Sequence, residues 1–324
     1  MSRTKKIIAG VATGVVALVL VAADIVASLF LVNFALKPEH VSDRKALNTL
    51  LRRNPELRPW VDSLMASKHW HDTTAIISGQ RQRCIFVTAR QPSNKVAVLV
   101  HGYKNSGLQM LSQGAIYYNM GYNLVLPDLY AHGKSEGKEI QMGWNDRYYV
   151  MRWMAVANEL FRGTHQQTQM VVHGVSMGAA TTMAISGEKL PGYVKCLVED
   201  CGYTSVHDEF AHELGDTALL GTKRPIPQFP ILPTASLLCK WKYGWSFEEA
   251  SMIDQVKKCK LPMLFIHGDN DDFVPSWMVK PLYQAKPQPK ELYIAKGSKH
   301  AQSLIDHPQE YAARVKGFVE KYIH

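Results

Sequence analysis

Gly174-Val175-Ser176-Met177-Gly178 is the stretch of this chain whose residue types and spacing point most directly to chemistry. It follows the apolar run Met170–His173 and opens an Ala-containing, helix-like segment. Glycine two residues before and after a serine permits a turn too tight for side chains at those positions. Such a turn would lift the Ser176 hydroxyl from the end of a strand. A hydroxyl needs a base to become a nucleophile, and the base needs a third group to orient it. Both types occur later in the chain. Gly268-Asp269-Asn270-Asp271-Asp272-Phe273-Val274-Pro275 follows the apolar run Met263–His267, and Gly297-Ser298-Lys299-His300 follows Glu291–Ala295. His300 is the expected base. Asp271 is the expected orienting acid, with Asp269 and Asp272 as alternatives. The order Ser, Asp, His puts each residue at the C-terminal end of a strand, the edge where open α/β sheets build sites. The chemistry would be acyl transfer through a covalent acyl-enzyme. The acidic cluster could otherwise be a solvated turn or a calcium-like loop. A full EF-hand fails for lack of the downstream glutamate.

Acyl transfer also requires donors for a developing oxyanion. His101-Gly102-Tyr103 closes the run Val96–His101, so the Tyr103 backbone N–H is one candidate. The Met177 N–H, at the start of the segment after Ser176, is the other, helped by helix N-terminal polarity. Cys84, Cys196, Cys201, Cys239 and Cys259 form no CxxC pair, and their number is odd. No metal cluster or disulfide framework is expected. One pair could bridge, and the sequence does not say which.

The elements that must position these residues are short apolar runs alternating with amphipathic stretches, the pattern of βα units. The runs are Ala75–Ile77, Cys84–Val87, Val96–His101, Asn123–Pro127, Met170–His173, Val194–Glu199, Met263–His267 and Glu291–Ala295. Several are continuous rather than alternating, as in strands buried on both faces of a parallel sheet. Helices are predicted over about 106–120, 147–160, 177–186, 276–284 and 308–322. Between about 204 and 260 no strand is predicted. That interval holds Pro225-Ile226-Pro227-Gln228-Phe229-Pro230, then Trp241, Tyr243, Trp245 and Phe247. A long strand-free insertion in a compact sheet protein is usually functional, and a helical lid is the expectation. Its aromatics and Met177 suggest an apolar acyl or aryl pocket, although aromatic stripes more often build core.

Arg3, Lys5 and Lys6 precede an apolar stretch from Ile7 to Leu36 in which Asp24 is the only charge. Ile7–Ala23 would span about 26 Å as a helix, close to the ~30 Å hydrocarbon core. Asp24 would then sit near the far headgroups. The basic flank predicts a cytoplasmic N-terminus and a single-pass cell-membrane protein with its bulk extracytoplasmic. A cleaved signal peptide is the rival, since Val21-Ala22-Ala23 offers small residues before Asp24, but apolar sequence continues past that point. The domain layout read from these patterns is 1–37 (cytoplasmic tip and transmembrane anchor), 38–71 (linker and packing helix) and 72–324 (α/β domain with an insertion at about 204–260).

Hydrophobic residues make up 46% and charged residues 20% of the 324, a balance that argues against extensive disorder. The formal net charge of +9 is compatible with a surface beside anionic lipid. No long basic run, zinc-finger spacing or aromatic RNA-binding motif accompanies it, so nucleic acid is not an expected partner.

Together these residues resemble the α/β-hydrolase superfamily, especially the membrane-anchored bacterial branch close to serine aminopeptidase-like and cinnamoyl-esterase-like hydrolases. The resemblance covers about 72–323. It rests on His101-Gly102, the loop Pro127-Asp128…His132-Gly133-Lys134-Ser135, the GxSxG turn, and the late Asp and His. The family's loop usually carries Arg-Gly before His-Gly, where Tyr130-Ala131 stands here. The resemblance implies a mostly parallel eight-stranded sheet flanked by helices, with a small helical lid and no cofactor. It implies a serine hydrolase acting on a small-molecule ester or acyl substrate. A peptidase, amidase or acyltransferase on the same triad is the alternative, and an anchored non-catalytic binding protein is the third reading.

Overall fold

The computed structural model describes residues 3–163, 167–215 and 225–324. The helices, in chain order, are α1 (Arg3–Ala35), α2 (Asp43–Arg53), α3 (Arg58–Met65), α4 (Leu111–Asn119), α5 (Asp146–Phe161), α6 (Met177–Ser186), α7 (Val206–Gly215), α8 (Ile231–Tyr243), α9 (Met252–Val256), α10 (Val279–Ala285), α11 (Ser303–Asp306) and α12 (Pro308–Val319). The strands are β1 (Trp70–Ile77), β2 (Gln80–Val87), β3 (Lys95–Val100), β4 (Asn123–Pro127), β5 (Gln169–Val175), β6 (Val194–Asp200), β7 (Met263–Gly268) and β8 (Lys290–Ala295). Two compact units result: Met1–Lys37 with His207–Glu249, and Pro38–Val206 with Ala250–His324.

The larger unit is an eight-stranded sheet in the order β1-β2-β4-β3-β5-β6-β7-β8. β2 runs antiparallel to both of its neighbours, and every pairing from β4 to β8 is parallel. This is the α/β-hydrolase fold that the sequence predicts. Central strands β4 and β7 are buried along their whole length, which is why their sequences read as unbroken apolar runs. The edge strand β1 extends five residues further toward the N-terminus than predicted, because His71-Asp72-Thr73-Thr74 is polar and no residue of 70–74 is buried. An edge strand needs little apolar sequence.

A loop at the end of β4 is fastened by charge. Arg83, with a side chain only 2% exposed, donates to Asp43, Asp72 and Asp128 at 2.8–3.1 Å. The Asp128 carboxylate also accepts the Gly107 and Lys134 backbone N–H groups at 2.8 and 2.9 Å. Gly133 has φ +50°, and a Cβ there would lie 2.3 Å from Asp128 Oδ2, so only glycine fits. The His-Gly-Lys-Ser stretch is therefore held by structure rather than exposed for chemistry.

In the smaller unit, α1 changes character along its length. From Arg3 to Ala23 every residue is exposed; from Asp24 onward one stripe turns inward, with Ser28, Leu31, Val32 and Ala35 buried. α8 lies along this second half. Thr234 Oγ1 donates to Asp24 Oδ2 at 2.7 Å, Ser28 Oγ to the Ile231 carbonyl at 3.0 Å, and Lys242 Nζ to Asn33 Oδ1 at 2.9 Å. Asp24 thus has a partner within the protein, 210 residues away in sequence and invisible to a pattern reading. The interval from 204 to 260 holds α7, α8 and α9 and no strand among the described residues; 216–224, within the interval read as a lid, lie outside them.

Candidate active site

β5 delivers the chain into a turn at Ser176, which has φ +58° and ψ −120°. Such a conformation is strained for a residue with a side chain. Its neighbours must give way completely. A Cβ on Gly174 would meet the Gly178 carbonyl at 1.9 Å, and one on Gly178 would meet the Val100 carbonyl at 2.0 Å. Both glycines of the motif are therefore steric necessities.

The strand ends bring three distant side chains together. His300 Nε2 is 2.8 Å from Ser176 Oγ, and His300 Nδ1 is 2.8 Å from Asp271 Oδ2. Asp271 is buried, whereas the His300 side chain is 20% exposed. The other carboxylate oxygen of Asp271 accepts the backbone N–H groups of Phe273 and Val274 at 3.1 and 3.0 Å. Burial pushes the Asp271 carboxyl up, but hydrogen bonds to His267 and His300 outweigh it and hold its pKa at about 2. An ionised Asp271 accepts from Nδ1–H, which leaves the Nε2 lone pair directed at the serine hydroxyl. The two alternative acids lie elsewhere: Asp269 is exposed and accepts the Gly297 N–H, and Asp272 is exposed.

Sequence reasoning missed His267, at the end of β7. Its Nε2 donates to the Val274 carbonyl at 2.9 Å and stands 3.4 Å from Asp271 Oδ2. Burial disfavours its charge, but the Asp271 carboxylate prevails and raises its pKa. The only sequence signal was its place as the last residue of an apolar run. Sequence reasoning also missed the reach of α2, read only as linker and packing. Its Leu50 and Arg53, with Asn54, line a cavity of about 430 Å³ that also touches Ser176 and His300.

The expected oxyanion donors are near this cavity. Gly102 packs against the serine, since a Cβ there would sit 3.3 Å from Ser176 Cβ. Tyr103 lines the cavity. The Met177 N–H belongs to the first turn of α6, where amides have no intrahelical acceptor. His101 holds the intervening loop: it accepts the Leu129 N–H on Nε2 at 3.0 Å, and its Nδ1 is 2.8 Å from the Gly102 carbonyl. Burial lowers its pKa to about 4, so it stays neutral.

The cavity lining is mixed rather than the expected apolar pocket. Gln109, Gln113 and Asn105 face it together with Met110 and Phe273, and every lining residue belongs to the larger unit. Met177 is buried. Trp245 and Phe247 are core of the smaller unit, where Phe247 meets Phe210 edge-on at 4.9 Å. Cys201, Asp271 and His300 put possible metal donors within 4.8 Å of one another. Two of them are already committed to hydrogen bonds, and burial pushes the Cys201 thiol far from thiolate. None of the five cysteines forms a disulfide, and all are buried.

Residues 91–252 match the family described as serine aminopeptidase, S33. The chain belongs to this family. The match includes the turn at Ser176 and ends before Asp271 and His300. A relative of similar design is the uncharacterized protein YqkD of Bacillus subtilis, 27% identical over 69% of this chain and 70% of its own. Among solved structures, an esterase of Pyrococcus furiosus superposes with a TM-score of 0.62 at 20% identity, covering 79% of this chain and 92% of that one. An acylaminoacyl peptidase of Pyrococcus horikoshii superposes at 0.55 with 17% identity, covering 81% of this chain and 42% of that one. At such identities the likeness establishes the fold.

Proposed function

We propose that this S33-family hydrolase is a membrane-anchored serine enzyme that cleaves carboxylic esters through an acyl-enzyme. The observation that carries the reading is the hydrogen-bond chain Ser176–His300–Asp271, with 2.8 Å at each link, opening on the 430 Å³ cavity. Ser176 Oγ attacks the ester carbonyl while His300 Nε2 takes its proton. The oxyanion is held by the backbone N–H groups of Tyr103 and Met177. His300 then gives the proton to the leaving alcohol. Water, activated by the same imidazole, releases the acid. Asp271 fixes the tautomer and stabilises the imidazolium, remaining ionised throughout.

The same residues can cleave an amide, and the acyl-enzyme can pass its acyl group to an alcohol. The family description keeps an aminopeptidase reading open. An esterase and an acylaminoacyl peptidase stand among the structural neighbours. A non-catalytic binding role would leave the aligned triad without use.

The anchor is α1, a 33-residue helix long and apolar enough to cross a membrane. In this reading residues 1–37 anchor the chain, 38–71 connect and pack, and 72–324 form the hydrolase with its insertion at about 204–260. The Arg3, Lys5 and Lys6 flank supports a cytoplasmic N-terminus with the hydrolase domain outside the cell membrane.

Purified enzyme should turn over p-nitrophenyl esters of graded chain length faster than aminoacyl p-nitroanilides. Faster cleavage of the anilides would replace the esterase reading with the peptidase one.

A further inference from the structure

The exposed apolar surface of the smaller unit is not confined to the all-exposed part of α1. Phe229, Pro233, Leu237 and Trp241 recur every four residues, so they form one ridge along α8 and the turn before it. Phe229 is 80%, Leu237 69% and Trp241 83% exposed, among the most exposed large apolar residues of the chain. The opposite face of α8, with Leu232, Ala235, Ser236 and Cys239, is buried. Among the described residues α8 therefore has one face committed to protein and one apolar face bare.

What meets that face follows from the neighbour to which α8 is fastened. Thr234 and Ser28 bind α8 to α1 beside Asp24, where the uninterrupted apolar stretch ends. From that level outward α1 also bares Val26 and Phe30 at 66% and 55% exposure. Two helices thus present apolar residues from the level of Asp24, where the uninterrupted apolar stretch of α1 ends, outward to that of Asn33, which Lys242 meets. Soluble proteins seldom leave a contiguous apolar surface bare, whereas tryptophan and phenylalanine are favoured at the boundary of bilayer and water. Asp24 can remain at this depth because two hydroxyls meet its carboxylate: Thr234 donates to it, and Ser28 Oγ lies 3.3 Å away.

We infer that the ridge Phe229–Leu237–Trp241 is a second membrane contact, inserted into the headgroup and upper acyl layer beside α1. This rests on the reading of α1 as a membrane span. An interfacial helix of this kind buries its apolar face about 5–10 Å into the boundary layer. The occupant is the lipid surface, not a second copy of the chain.

The test uses the full chain in phosphatidylcholine–phosphatidylglycerol vesicles, with an environment-sensitive fluorophore on single variants Val15→Cys, Leu237→Cys and Ile76→Cys. The native cysteines are buried, and wild type measures their background. The probe at 237 should be blue-shifted and lose emission to nitroxide-labelled lipid, as expected for boundary-layer depth. The probe at 15 should be quenched more deeply in the acyl region, and the probe at 76 only by aqueous iodide. Quenching at 15 with a water-exposed 237 would overturn the ridge and leave the anchor standing. Failure at both positions would remove the anchor reading and the ridge with it. A blue-shifted 237 that lipid quenchers do not reach would mean a protein partner and would also overturn it. Trp241→Phe gives a probe-free check: it should remove part of the lipid-quenchable tryptophan emission, and no change would contradict the proposal.

Discussion

Two clusters of acids and bases lie in the larger unit, and they do different things. Around Asp128, three carboxylates face one guanidinium that is charged at any physiological pH. His101 and His132 pack edge to face nearby, with pKa values lowered by burial to about 4 and about 3. Neither histidine is poised to exchange a proton near neutrality. Around Asp271, one carboxylate touches two imidazoles, with Glu199 and Asp200 acting on them from further off, and His300 keeps part of its surface open to a cavity. A permanent charge held by several fixed partners fastens a loop. An acid matched to a group that can gain and lose a proton at an open face supports a reaction.

Substitutions can break this contrast from either side. The largest effect belongs to the proposed nucleophile: Ser176→Ala should lower ester turnover by about 10⁶-fold, measured against a fold unchanged by circular dichroism. Asp271→Asn should cost about 10⁴-fold, because the amide favours the wrong imidazole tautomer. Asp272→Asn should leave turnover near wild type, and a larger loss there than at 271 would move the orienting acid. Arg83→Met should instead act on stability. It strands the buried Asp128 carboxylate, and losing one member of a buried pair costs about 3 kcal/mol. Urea unfolding in detergent should show that loss, with turnover per folded molecule nearly intact.

The smallest effect expected is the pH dependence of stability. Burial pushes Glu199 up to about 8 and Asp146 up to about 7. Above about pH 6.5 the folded chain keeps protons on these groups that the unfolded chain has lost. The raised His267 adds to the same difference. Stability should therefore fall as pH rises from about 6.5 to about 8. The lowered buried histidines act in the opposite sense only below that window. Glu199→Gln should flatten the slope, and a urea midpoint that climbs with pH would contradict the assignment.

The sheet was legible because burial on both faces writes itself as unbroken apolar runs, so all eight strands were found. β1 was undersized because its polar half lies on an edge. Ser176, Asp271 and His300 could be proposed together because each follows a strand and the order is restrictive, and the fold brings the three side chains into contact. What could not be read was which side chains close around them. Neither the contact of His267 with Asp271 nor the presence of α2 at the cavity leaves a periodic trace; both depend on where the chain returns in space. The aromatics 241–247 were ambiguous for the same reason: Trp245 and Phe247 became core, while Trp241 stayed exposed.

The central claim is that the Ser176 hydroxyl becomes nucleophilic through His300. A fluorophosphonate probe followed by peptide mass mapping tests it most directly. The account predicts one adduct, on the peptide bearing Ser176, with none in Ser176→Ala and strongly slowed labelling in His300→Ala. An adduct on another residue, or equal labelling of wild type and Ser176→Ala, would contradict it.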